Sequence, residues 1–436
     1  MVQTVMQFVE AQPLIAAGIK ILVVFGVLSG IVAYMVLAER KVLAFMQARL
    51  GPMRVGPWGL FQPAADGLKL LLKEDIIPAG ADKFVFLIAP VISVVAAFTV
   101  FAVIPYGPSS ALIITDLNVG LLFAVAVSSL GIYGIILGGW ASNSHYPLLG
   151  SLRSAAQLVS YEIPAGMAIV GVLLISNSLS LVKIVEAQQS SGLWNFFLQP
   201  LGFLIFLIAA VAETNRNPFD LPEAESELTA GFHTEYSGFR FALYFMAEYT
   251  SMVLVSALAV VLFWGGWLRP FASVAAFDFL NYLPPVSLLM IAGVVFFFAR
   301  RNPVPSEKLF LVAVAVGSVV LAGIVAIPVV MDAVQPVFWF TTKVFALLYA
   351  FIWYRATFPR YRYDQLMNVG WRWLIPLALG NLIATAFVVW WAGPNPGHLK
   401  LFFAMFAMNL AVAIVVGLLV GWRSPARAAV EKQTGS

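Results

Sequence analysis

"PLIAAGIKILVVFGVLSGIVAYMVLAERK", Pro13 to Lys41, decides what kind of molecule this is. From Pro13 to Ala38 the run carries one charge, Lys20, and as a helix it is long enough to cross a hydrocarbon core of about 30 Å. It is too long for the apolar segment of a cleavable signal and ends in Glu39-Arg40-Lys41, so it is expected to stay as a first membrane helix. Similar runs recur along the 436 residues, of which 61% are hydrophobic and 11% charged. They lack the alternation of barrel strands, and a helix satisfies its own backbone in lipid. The expected fold class is all-α, a polytopic transmembrane helical protein.

Spans are expected at about 13–38, 84–105, 117–140, 155–177, 195–212, 241–266, 285–299, 309–331, 335–354, 373–392 and 399–421. Of the 25 lysines and arginines, 20 fall on one set of loops, including Arg40, Lys41, Arg49, Arg153, Arg216, Arg300, Arg355 and Arg362. Basic loops stay in the cytoplasm, so these eleven spans put the N-terminus outside and the C-terminus inside. The net charge of +4 follows from that bias and implies no nucleic acid. With no cysteine, the chain has no thiolate for an iron–sulfur cluster, a disulfide or a c-type haem. Its histidines, His145, His233 and His398, are all expected in loops, which argues against haem ligation inside the bundle.

The loop after the first span holds Gly51-Pro52 and Gly56-Pro57, signals that end one helix and begin another. From Trp58 to Lys73, Gln62, Asp66, Lys69 and Lys73 recur at helical spacing opposite Phe61, Ala64, Ala65, Leu68 and Leu72. One reading is a helix lying in the headgroup layer with its lysines on anionic lipid. The other makes this polar face, with the nearby arginines, the mouth of a cavity for an amphipathic ligand such as a quinone.

Farther on, "AETNRNPFDLPEAESELTAGFHTEYSGFRF" (212–241) gathers Glu213, Asp220, Glu223, Glu225, Glu227 and Glu235, with Glu248 just beyond. Asp220 and Glu223 have capping-box spacing, and Glu225 suits a first helical turn, so capping explains two or three acids. It does not explain seven of the chain's 21. Glu223 and Glu227 share a helical face, where like charges raise each other's proton affinity and titrate as a set. Glu162, Glu213 and Glu248 lie in or at the ends of spans, where carboxylates are costly and mark ion pathways. Lys343, mid-span, is expected as a counter-charge or the next proton carrier.

Taken together, "AERKVLAFMQARLGPMRVGPWGLFQPAADGLKLLLKE", "SYEIP", the acidic stretch and "RATFPRYRYDQLMNVGWRWLIPL" resemble the H-type membrane subunits of NADH:quinone oxidoreductase, respiratory complex I. The resemblance covers roughly 13–284 and 335–392. It implies a subunit that joins the redox arm to the membrane arm and encloses a quinone chamber with two peripheral subunits, one carrying the terminal [4Fe–4S] cluster. It implies that Arg40, Arg49, Asp66, Lys69, Phe239, Arg240, Arg360, Arg362 and Asp364 line the chamber and its entrance. It implies a proton route through Glu39, Glu162, Glu213, Asp220, Glu223, Glu225, Glu227 and Glu248, with Lys343 near its inner end. Flavin mononucleotide and iron–sulfur clusters would belong to partners, and quinone would be a substrate. Small and antiporter-like membrane subunits, membrane lipid and a bacterial inner membrane complete the expectation.

The family core has about eight spans, so four regions are expected: a core over 1–284 with the 39–83 and 213–240 loops, an inserted hairpin over 285–334, further core spans over 335–392, and an added span with a tail over 393–436. Rival readings are the anchor subunit of an energy-converting hydrogenase, a stand-alone secondary transporter and a purely structural anchor. A transporter predicts paired broken helices and a repeat, and no repeat is visible in the sequence.

Overall fold

The computed structural model describes residues 13–221, 229–271, 274–302, 304–393 and 398–422. Its regular structure is helical: α1 (Pro13–Met46), α2 (Gln62–Leu72), α3 (Lys83–Thr99), α4 (Gly120–Ala141), α5 (His145–Ser176), α6 (Leu181–Ser191), α7 (Asn195–Leu198), α8 (Pro200–Glu213), α9 (Gly238–Phe263), α10 (Leu283–Arg301), α11 (Pro305–Val325), α12 (Pro328–Thr357), α13 (Tyr363–Asn368), α14 (Ile375–Ala392) and α15 (His398–Trp422). Among the described residues, nine helical segments are long and apolar enough to cross a membrane, and two shorter apolar ones cover Pro200–Glu213 and Lys400–Val416.

The axis of the bundle is α9. Every residue from Met252 to Phe263 is buried, as befits a helix that is apolar all round. Around it lie α1, α3, α8 and α12, while α5 lies against α4, α8 and α14. α3 and α4 touch closely at Gly134, where an added Cβ would meet the Ala89 carbonyl at 2.8 Å. The pair α10–α11 forms a hairpin, and its tip meets the body through aromatic contacts. The Phe298 ring lies 4.1 Å from that of Trp58, and Phe310 lies 6.1 Å from Phe61.

Three local expectations are corrected. The amphipathic helix begins at Gln62 and not at Trp58, because Trp58 and Gly59 both have positive φ (57° and 73°) and cannot continue a right-handed helix. The span near 195–212 is broken at Gln199: Pro200 brings no N–H and holds the residue before it out of the helical region (φ −132°, ψ 62°). The span expected from 155 starts ten residues earlier, so His145 opens α5 and does not sit in a loop; His398 likewise opens α15.

Candidate functional site

The site lies where α1 and α8 end, α9 begins and α12 gives way to α13. Two loops meet there, the stretch after Glu213 and the stretch after Thr357. Gln157 of α5, fully buried, holds the first by donating to the carbonyls of Ala212 and Phe219, both at 2.8 Å. Asn217 donates to the Arg355 carbonyl at 3.1 Å, and the Tyr361 amide donates to the Pro218 carbonyl at 3.2 Å. The rings of Phe219 and Tyr361 stack at 5.6 Å, and Arg360 donates to the Asp220 carbonyl. Tyr161 of α5 anchors the far side by donating to the Leu366 carbonyl at 3.0 Å.

Inside this junction is a charge cluster. Arg216 lies 2.8 Å from Glu248 through Nε and 3.7 Å from Glu39 through Nη1. Its guanidinium also sits 4.2 Å over the Tyr249 ring. The Tyr249 hydroxyl donates to Glu39 Oε2 at 2.6 Å, and Arg355 pairs with Glu39 Oε1. Glu39 and Arg216 are buried, with side chains 5% and 8% exposed. Among the described residues two carboxylates face two guanidinium groups, a pairing that makes the burial of Glu39 and Arg216 tolerable.

Glu248 also lines a cavity of about 80 Å³, room for a few water molecules. Glu162 from α5 and Glu213 from α8 line the same cavity, with Ser128, Asn215, Tyr244 and Ser251 among its polar walls. Three carboxylates that the sequence marks as one group therefore share one cavity. Carboxylates round confined water can hold and relay protons.

Glu39 and Arg40 are neighbours on α1 and turn different ways. Glu39 faces the buried cluster, whereas Arg40 pairs with Asp66 of α2 at 2.8 Å, and Gln62 donates to Asp66 at 3.0 Å. Arg49 and Lys69 are exposed close by, Arg49 donating to Gln47 at 2.7 Å. At the start of α9, Phe239 is exposed and Arg240 pairs with Asp75 at 3.1 Å, its guanidinium 5.5 Å from the Phe86 ring. Arg360, Arg362 and Asp364 are exposed around the start of α13. Glu223, Glu225 and Glu227 lie outside the described residues.

Lys343 is elsewhere. Its ammonium donates to the carbonyls of Trp264, Gly266 and Leu268 at 2.6, 3.0 and 2.5 Å, and sits 4.3 Å from the Trp194 ring. Those carbonyls follow the end of α9, and Glu248 is fifteen residues before that end, about 22 Å along the helix. Its partners in the structure are thus backbone carbonyls.

Sequence reasoning misses Arg216, Arg355, Tyr249, Asp75 and Gln157 as site residues. Arg216 has a signal, being the one cation inside the acidic stretch from Glu213 to Glu235. The others read as ordinary core or loop residues. Among the described residues, no group of three or more histidine, cysteine or carboxylate side chains could hold a metal ion.

The profile of the NADH dehydrogenase family matches residues 19–386. The chain is 52% identical to an H subunit of NADH-quinone oxidoreductase from Solibacter usitatus, over 87% of this chain and 98% of that one. It is also 52% identical to an H subunit from Koribacter versatilis, over 85% and 91% of the two chains. An H subunit from Geobacter sulfurreducens is 45% identical over 85% and 94%.

Proposed function

The chain belongs to the NADH dehydrogenase family, among the H subunits of NADH-quinone oxidoreductase, and we propose that it forms one wall of the quinone chamber and carries the coupling route from there into the membrane. In this reading it crosses the membrane eleven times, N-terminus outside and C-terminus in the cytoplasm, in a bacterial inner membrane. The residues 1–284 and 335–392 make the core, with 285–334 an inserted hairpin and 393–436 an added span and tail. Peripheral subunits, one bearing the terminal [4Fe–4S] cluster, close the chamber over Arg40, Arg49, Asp66, Lys69, Phe239, Arg240, Arg360, Arg362 and Asp364.

The partners' flavin and iron–sulfur centres supply electrons. A quinone that accepts two of them takes up two protons to become a quinol, drawn from groups at the chamber. The changed field shifts protons on Asp220, Glu223, Glu225 and Glu227. Arg216 senses that shift through its contacts with Glu39 and Glu248, and Glu248 passes it to Glu213 and Glu162 across the cavity. From there the change reaches antiporter-like partners, with Lys343 at the inner end of the route.

One observation carries this reading. Two sets of contacts meet at adjacent residues of α1: Arg40 pairs with Asp66 near the surface, and Glu39 meets Arg216, which meets Glu248 beside a cavity shared with Glu162 and Glu213. The test is to purify the assembled complex with Glu248→Gln or Glu162→Gln and reconstitute it in liposomes. Inhibitor-sensitive NADH:quinone reduction and proton uptake are then measured together. The proposal expects uptake per NADH to fall at least several-fold in both variants. Wild-type rates and wild-type uptake in both would falsify the coupling route, and a tagged complex lacking NADH:quinone reduction would remove the quinone chamber as well.

A further inference from the structure

Away from this site, an apolar furrow of about 390 Å³ runs between α1 and α12, with Val253 and Ala257 of α9 as its floor. That volume is in the range of small-molecule sites. Val23 and Val27 on its rim are 58% and 56% exposed. The furrow is polar at one end only. There Lys20 donates to the carbonyls of Ser110 and Ile113 at 2.6 and 2.8 Å. An ammonium has three protons, so one remains for a ligand. Beside it the Tyr106 hydroxyl, also in the furrow wall, is buried with no hydrogen-bond partner among the described residues. A buried hydroxyl without a partner is a standing cost.

Depth fixes what fits. Tyr106, Ser110 and Ile113 lie in the largely non-helical stretch between α3 and α4, whose backbone is not tolerated in hydrocarbon and so marks the membrane interface. From Lys20 the furrow reaches Ile31 along α1, and from Val337 it reaches Leu348 along α12. Each path is eleven residues, about 16 Å of helix, against about 15 Å for half of a hydrocarbon core. The furrow is one leaflet deep, charged at the headgroup level and greasy below.

We propose that this furrow is a binding site for an anionic phospholipid. Its phosphate takes the free proton of Lys20, an ester carbonyl accepts from Tyr106, and one acyl chain lies along Val23, Val27, Ala257 and Val344. The proposal concerns a face remote from the acidic cavity and stands or falls independently of the coupling route.

The test uses the complete assembly purified from native membranes and placed in nanodiscs. These contain phosphatidylglycerol or phosphatidylcholine carrying the same photoreactive acyl chain, and labelled peptides are mapped after illumination. Label should concentrate on peptides spanning 20–31 and 337–348, several-fold above the exposed apolar faces of α10 and α11, and phosphatidylglycerol should label more than phosphatidylcholine. Lys20→Gln should abolish the headgroup preference while chain labelling persists. Val27→Trp, on the exposed rim, should reduce furrow labelling and leave the hairpin unchanged. Equal labelling of furrow and hairpin overturns the site. So does a furrow shielded from lipid by a cross-linked partner subunit, or label displaced by a long-tailed quinone.

Discussion

Two buried cations, Arg216 and Lys343, solve the same problem in different ways. Arg216 lies against Glu39 and Glu248, while Arg355 and Tyr249 complete the shell around Glu39. Lys343 has three carbonyls at the end of α9 and the face of Trp194. Carbonyl dipoles are fixed by the fold and do not titrate, and cations are favoured at a helix C-terminus. Carboxylates can gain or lose a proton, so the balance around Arg216 changes whenever one does. The surroundings of Arg216 can therefore change charge, whereas the carbonyls around Lys343 keep theirs.

That contrast is most exposed at Arg216. Replacing it with Gln takes a guanidinium away from buried Glu39 and part-buried Glu248, and breaking a buried pair from one side costs about 3–5 kcal/mol. The expected outcome is a large loss of assembled, inhibitor-sensitive quinone reductase in membranes and a lowered thermal inactivation midpoint. An Arg216→Gln complex as stable as wild type would end the view that charge balance holds this junction.

If charge balance is the cause, removing a charge of each sign should hurt less than removing one. The Arg216→Gln/Glu248→Gln double variant is expected to recover part of the lost stability, with a coupling of about 0.5–3 kcal/mol. The thermal midpoints of the two single variants and the double measure it. Strict additivity would mean that Arg216 acts mainly through Glu39 or through its contact with the Tyr249 ring.

Lys343→Met sharpens the other half of the comparison. It strands carbonyls but leaves no buried charge behind, so the expected cost is about 1–3 kcal/mol, below that of Arg216→Gln. Both midpoints, measured on the same preparation, decide the order. A larger loss for Lys343 would make the end of α9 the more critical junction.

The sequence carries unequal amounts of this. The helical class and the burial of α9 are legible, because twelve successive residues from Met252 to Phe263 offer no polar face beyond Ser256. Glu162, Glu213 and Glu248 are legible as a group, since carboxylates in apolar runs need a polar chamber whatever the fold. The break at Gln199-Pro200 has its signal in the proline, although the apolar run around it reads as one span. Pairings are not legible: Glu39 and Arg355 stand 316 positions apart, and no local pattern joins them. Nor can Lys343 be assigned its partners, because backbone acceptors have no signature in a sequence.

Tyr249 tests the finest point. Its hydroxyl gives Glu39 a hydrogen bond of 2.6 Å, while Arg216 and Arg355 supply the compensating charge. With Tyr249→Phe both guanidinium groups remain and the ring still faces Arg216, so the expected loss is small, about 1 kcal/mol. Quinone reduction should stay within about fivefold of wild type, since a full factor of ten requires about 1.4 kcal/mol. A loss as deep as that of Arg216→Gln would mean that Glu39 is held by the geometry of one hydrogen bond more than by the sum of its charges. The junction would then be a rigid hinge, and a proton arriving at Glu248 would have little to move.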